Sequence, residues 1–216
     1  MTIHSAVLAR IRLNLHHRAV NRDLRDATEM HRTLMKLVPD GLGDSARMRS
    51  GLLYRIDVSE NATTLLVQAS SALTADRLPD GYGELEVKDL RPMFAALRPG
   101  LGVRYRIAVN PAKRARLPIE EKNKRGSIVP LSGPDADQWW TRRAAEAGLQ
   151  LKSLLPTPLD PARRRSGPPL RHSLVRYDGT ATVTDPAALT TAILSGIGRG
   201  KPYGAGLLTL APATAA

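Results

Sequence analysis

The chain has 216 residues, 32 Lys and Arg against 20 Asp and Glu for a net charge of +12, and 42% apolar residues. So large a cationic excess, on a chain with enough apolar residues for a packed core, points to a polyanionic partner, nucleic acid before membrane. The lack of cysteine rules out disulfides and thiolate metal sites, no apolar run approaches the ~20 residues of a membrane span, and Met1–Leu13 has no signal-peptide core, so a cytoplasmic protein without membrane contact is expected.

In chain order, Ile3, Ser5, Val7, Ala9, Ile11 and Leu13 fall on one face of an extended strand, with Arg10 and Arg12 on the other. Asn14 to Arg25 is polar and basic and reads as a loop. Asp26 and Glu29 have capping-box spacing, and Ala27, Met30, Leu34 and Leu37 form the apolar stripe of a helix that stops before Pro39. Leu52–Val58 and Thr63–Ala69 flank a Ser-Glu-Asn-Ala turn and predict a hairpin. A short helix or turn near Ser71–Arg77 and a strand near Glu84–Val87 complete a β-α-β-β-α-β order, the ferredoxin-like unit. Arg91–Gly100, with two prolines and a closing glycine, reads as a linker.

A second unit of the same kind follows. Leu101, Val103, Tyr105, Ile107 and Val109 alternate with Gly102, Arg104, Arg106 and Ala108 as a half-buried strand. Residues 136–147 around Trp139 and Trp140 are helical in pattern, and Ser173–Thr184 is strand-like with a bend at Asp178-Gly179. Asp185 caps a helix over Pro186–Leu194, and Gly206–Leu210 is the last strand. Two insertions interrupt the unit: a basic one over Asn110–Pro130, and a stretch rich in Pro and Arg over Pro156–His172, which is expected to be flexible.

Three features carry candidate chemistry. From Arg104 to Arg125 eight basic residues (Arg104, Arg106, Lys113, Arg114, Arg116, Lys122, Lys124 and Arg125) face two acidic ones. Between two strand-like segments, this predicts a basic hairpin able to enter a groove or track phosphates. The second feature is Gly196–Leu210, where five glycines surround Arg199 and Lys201. Gly198, Gly200 and Gly204 would let a phosphate approach the backbone without a Cβ in the way. The spacing is not that of a P-loop, since Ser195 and Pro202 stand where a Gly and a Ser or Thr are needed, and a helix precedes the glycines where a dinucleotide fingerprint needs a strand. The third is His31, one position off the apolar stripe and within about a turn and a half of a helix N-terminus, where an anion is favoured. A lone helical histidine is more often structural, and its spacing alone leaves both roles open. No carboxylate pair, Ser-His-Asp set or metal cage is visible, so neither cofactor nor metal is expected.

The residues resemble a known family. Ala9-Arg10 in the opening strand, Glu29-Met30-His31-Arg32 in a helix ending at Leu37-Val38-Pro39, a strand running into Asn110-Pro111, the basic stretch closing on Val129-Pro130-Leu131, and the glycine-rich end are together similar to the CasE-type CRISPR repeat-processing endoribonucleases of the type I-E system. The resemblance implies an α+β fold of two tandem ferredoxin-like (RRM-like, RAMP-type) domains, 1–94 with the catalytic helix and 101–216 with the basic hairpin and glycine loop, joined by a linker at 95–100. It implies metal-independent cleavage of a CRISPR repeat hairpin at the 3′ base of its stem, with the mature guide RNA retained alongside the other Cascade subunits. His31 matches the family's catalytic histidine, as base or acid, and Lys201 is the lysine nearest to hand for the developing charge. The family often has a tyrosine where Thr28 stands, so phenol assistance is not expected here. A non-catalytic RNA-binding subunit and a basic structural protein of a ribonucleoprotein are the rival readings.

Overall fold

A computed structural model describes residues 5–115, 126–165 and 172–213. Strand β1 (Val7–Leu13) buries Ala9, Ile11 and Leu13 and exposes Arg10 and Arg12, as its alternation requires. The segment after it, expected to be a loop, is instead a helix, α1 (Arg18–Arg25). Its apolar content is low because a carboxylate does the anchoring. Asp23 is buried, accepts from the Tyr82 hydroxyl at 2.9 Å and pairs with Arg22, while the His17 ring caps the helix by accepting from the Ala19 amide.

Helix α2 (Ala27–Met35) starts where the capping residue predicted, with Asp26 Oδ1 accepting from the amides of Thr28 at 2.8 Å and Glu29 at 3.4 Å. Met30, Leu34 and Leu37 are buried beneath it. A 3₁₀ turn at Gly43–Ser45 and a one-turn helix, α3 (Ala46–Arg49), lead into β2 (Leu53–Val58), which forms the expected hairpin with β3 (Thr63–Ala69) in register Val58 to Thr63. A 3₁₀ turn at Ala75–Arg77 and β4 (Gly83–Asp89) close an antiparallel sheet in the order β2-β3-β1-β4.

The stretch read as a linker begins with a helix, α4 (Arg91–Ala96), and Met93, Phe94 and Leu97 pack on the second core. That core lies under β5 (Gly102–Val109), α5 (Gly133–Glu146), β8 (Leu149–Leu151), β9 (Leu155–Pro158), β10 (Val175–Val183), α6 (Pro186–Ser195) and β11 (Leu208–Pro212). The sheet runs β11-β5-β10-β8, with β9 on β10 beside β8, and repeats the order of the first with a helix after its first and third strands. Both units are ferredoxin-like, so the chain is α+β throughout. The expected bend at Asp178-Gly179 is where β10 changes partner from β9 to β8. Strands β6 (Ala112–Arg114) and β7 (Ile128–Pro130) form a separate two-stranded hairpin.

The Pro- and Arg-rich insertion departs from expectation in its described part. It holds β9, its Ala162 amide donates to His172, and its Arg163 carbonyl accepts from the Ala27 amide at 2.9 Å. The Arg165 amide donates to Asp26 Oδ2 at 3.0 Å, so the insertion completes the N-terminus of α2. Backbone partners that lie far off in sequence hold this stretch, and local composition does not reveal them.

The units also meet through two buried polar side chains. The Arg55 guanidinium spends all five of its N–H groups: two on Asp57 at 2.8 and 2.9 Å, and three across the junction on the Arg106 carbonyl at 2.9 Å, the Leu207 carbonyl at 3.1 Å and Thr209 Oγ1 at 3.0 Å. Gln68 donates across to the Ile193 carbonyl at 2.8 Å. Among the described residues no helix is long and apolar enough to cross a membrane.

Candidate active site

The glycine-rich segment folds as α6, a turn of glycines, a 3₁₀ turn at Lys201–Tyr203 and β11. Its glycines are needed by two neighbours. Gly198 has φ +82° and a Cβ there would stand 2.9 Å from the Trp139 ring; Gly204 has φ +85° and faces the Tyr54 ring at 3.2 Å. Trp139 of α5 and Tyr54 of β2 thus press the loop from both units, and the Tyr54 hydroxyl donates to the Pro202 carbonyl at 3.3 Å. Between Gly200 and Gly204, Lys201 is carried onto α2, the helix of His31.

His31 is half-buried, with Nδ1 turned inward and unpartnered. Burial lowers its pKa, and the Arg47 guanidinium lowers it further, so the free imidazole is neutral near pH 7. Lys201 is lowered for the same two reasons, burial first and Arg47 second. Arg47, at the head of α3, is itself lowered by desolvation and donates through Nη1 to the Leu52 carbonyl at 3.3 Å. The Thr28 hydroxyl is enclosed near Asp26 and offers no phenol-like donor. Two cations with no carboxylate gathered about them among the described residues favour an anion over a divalent cation. Among the described residues no three His, Asp or Glu gather as metal ligands.

The remaining sequence candidates divide. Arg199 is exposed and bridges through its backbone to buried Asn110, and Gly200 lies against the Asn110 side chain. Asn110 Nδ2 is 2.6 Å from His172 Nδ1, and the His172 ring stacks on Tyr203 with centroids 5.0 Å apart. This joins the loop to the base of the β6–β7 hairpin. On that hairpin Lys113 is exposed, 3.7 Å from Asp135, and Arg114 donates to the Gly126 carbonyl at 2.8 Å, tying the strands together. Arg116, Lys122, Lys124 and Arg125 lie outside the described residues. Arg104 and Arg106 sit on the other face of β5, away from the core; Arg106 is paired with Asp178 and with Asp57 at 3.6 Å, and Arg104 donates to the Pro212 carbonyl at 3.3 Å. The charge of Arg106 belongs to the junction between the sheets, and Arg104 lies exposed along its own sheet.

A family model described as CRISPR associated protein matches residues 7–212. The CRISPR-associated endoribonuclease Cse3 of Thermus thermophilus is 32% identical over 221 residues, covering 95% of this chain and 99% of that protein. The CRISPR system Cascade subunit CasE of Escherichia coli is 25% identical over 193 residues, covering 87% and 93%. Thermus thermophilus Cse3 bound to an RNA representing a pre-cleavage complex superposes with a TM-score of 0.80 at 31% identity, over 96% of this chain and 100% of that one. Fold and matches together define a double ferredoxin-like protein of the CRISPR-associated class. Within that class, the chain belongs to the Cse3/CasE family of CRISPR-associated endoribonucleases.

Proposed function

We propose that this chain is a cytoplasmic endoribonuclease that binds the CRISPR repeat hairpin, cuts the precursor at the 3′ base of the stem without a metal, and keeps the guide RNA as it joins the other Cascade subunits. The observation that carries the reading is His31, held neutral on α2 beneath a loop that brings Lys201 to the same helix. The family's RNA-bound relative and the Cascade subunit named above support the substrate and the assembly. The division into 1–94, a linker at 95–100 and 101–216 belongs to the same proposal, with α2 in the first unit and the basic hairpin and glycine loop in the second.

The 2′-oxygen attacks the adjacent phosphorus as its proton leaves. The P–O5′ bond breaks and O5′ takes a proton, giving a 2′,3′-cyclic phosphate and a 5′-OH. With Nδ1 enclosed, Nε2 of His31 is the ring nitrogen that serves the RNA, as base toward the 2′-OH or as acid toward O5′. Lys201 opposes the charge that gathers on the phosphorane. The basic hairpin and Arg199 supply phosphate contacts that set position and affinity.

The test is incubation with an end-labelled type I-E repeat hairpin in excess EDTA. Cleavage at the stem base that leaves a cyclic phosphate is expected. Loss of cleavage that Mg²⁺ or Mn²⁺ restores would sink the metal-free mechanism. Tight hairpin binding without cleavage would leave a non-catalytic subunit, and indifferent binding a basic structural protein.

A further inference from the structure

Arg47 lies in a stretch that carries no motif, yet the fold delivers it to His31. The 3₁₀ turn of the glycine loop packs on both α2 and β2, and Arg47 reaches the head of β2 through its bond to the Leu52 carbonyl. From there its charge bears on His31 and Lys201 alike. Several other arginines hold a carboxylate: Arg10 holds Glu86, Arg22 holds Asp23, Arg77 holds Asp40, Arg91 holds Asp89 and Arg143 holds Glu146, while Arg12, Arg49 and Arg199 stand exposed in water; Arg47 is half-buried. Among the described residues, none of Arg47, Lys201 and His31 pairs with a carboxylate. Two half-buried cations beside an imidazole, with no counter-ion among the described residues, make a site suited to an anion from outside.

We propose that Arg47 is a catalytic residue of this site: with Lys201 it grips the non-bridging oxygens of the scissile phosphodiester and stabilises the charge of the phosphorane. The proposal rests on the nuclease reading above and adds to it a second cation, supplied by the first unit opposite the lysine of the second. Arginine suits the position because its planar fork can hold two phosphate oxygens at once. Its guanidinium stays protonated throughout, so it moves no proton; the 2′-OH proton leaves and O5′ gains one as before. A bound phosphate also offsets the field that Arg47 casts on His31, which faces Arg47 from α3 and the Lys201 turn from the loop, while Glu29 and Arg32 on its own helix pair with each other.

The experiment is single-turnover cleavage of a type I-E repeat hairpin under saturating protein, beside binding of the same hairpin with a 2′-deoxy nucleotide at the cut. Arg47→Ala is expected to slow cleavage by about 10²–10³-fold. Affinity for the uncleavable hairpin should fall less than about tenfold, the share of one phosphate contact among many. Arg47→Lys should recover part of the rate, and Arg49→Ala, on the exposed side of α3, should cleave as wild type. The His31-dependent limb of the rate–pH profile should move to higher pH in Arg47→Ala, where the opposing cation is gone, and stay near its place in Arg47→Lys. A merely structural arginine would not produce that split. If Arg47→Ala does not fold, Arg47→Gln and Arg47→Lys carry the comparison. Wild-type rate in a bound Arg47 variant, an equal loss in Arg49→Ala, or an unmoved pH limb would each overturn the assignment. If the wild-type protein itself does not cleave, both readings fall; if it cleaves and His31→Ala does not, a silent Arg47→Ala removes this one alone.

Discussion

At the scale of single residues, His31→Ala is expected to slow single-turnover cleavage by about 10²–10⁴-fold, the usual worth of a positioned acid or base. Hairpin affinity should hold, since one neutral imidazole contributes little beside the phosphate contacts, and α2 should hold too, because alanine is its best former. Thr28→Ala should cost little, its hydroxyl being enclosed rather than offered to substrate. A gel shift on the uncleaved hairpin beside the kinetic trace separates these outcomes: near wild-type cleavage in His31→Ala would move the catalytic group elsewhere. The place of His31 beside the stripe of Met30 and Leu34 is a local property visible in the sequence, whereas its catalytic role is an expectation that only the family resemblance supplies. Arg47 has no such mark in the sequence. Its meaning comes from Lys201, more than 150 residues on, and only the fold brings the two together.

At the scale of elements, the basic hairpin carries a separable expectation. Replacing Lys113, Arg116, Lys124 and Arg125 by alanine, while leaving Arg114 to tie the strands, should flatten the dependence of log affinity on log salt. The slope should change by roughly 0.7–0.9 for each phosphate that the protein no longer neutralises. An unchanged slope would show that the hairpin does not touch RNA. Strands are easiest to read where they alternate: β1 and the first part of β5 switch between core and solvent in a period that residues announce by themselves. Helix α1 is not legible in that way. Its buried face includes Asp23, whose partners Tyr82 and Arg22 make a carboxylate behave as core, and a polarity pattern cannot register that exchange. The order of the insertion after β9 is hidden for a related reason: what holds Arg163 and Arg165 is the start of α2, in the other half of the chain.

At the scale of the whole molecule, Arg55 holds the two sheets together. Arg55→Met removes three bonds across the junction, the Arg106 carbonyl keeping its bond from the Thr209 hydroxyl, and leaves Asp57 short of its main partner, so stability should fall by about 3–5 kcal/mol, or roughly 6–20 °C in Tm for a chain of this size. A melting curve at pH 7 decides it; a shift within a degree or two would mean that the apolar packing suffices. Burial works to raise the Asp57 carboxyl, but Arg55, Arg106 and Arg176 outweigh it and hold it below the usual carboxylate range. The folded protein therefore binds that proton less readily than the unfolded chain. The contribution is complete above about pH 5 and is lost as pH falls through the lowered folded value, and the loss should be absent in Asp57→Asn.

The bond from the Ala27 amide to the Arg163 carbonyl gives the molecule a gauge of its own. The opening amides of a helix usually face water and exchange their hydrogens quickly, whatever the rest of the protein does. Here the opening amide of the helix that carries His31 is covered by a carbonyl from the far half of the chain. Its deuterium uptake consequently times the release of that insertion from the start of α2. An RNA whose binding holds the insertion against α2 is expected to slow that clock, without any label being added to the protein.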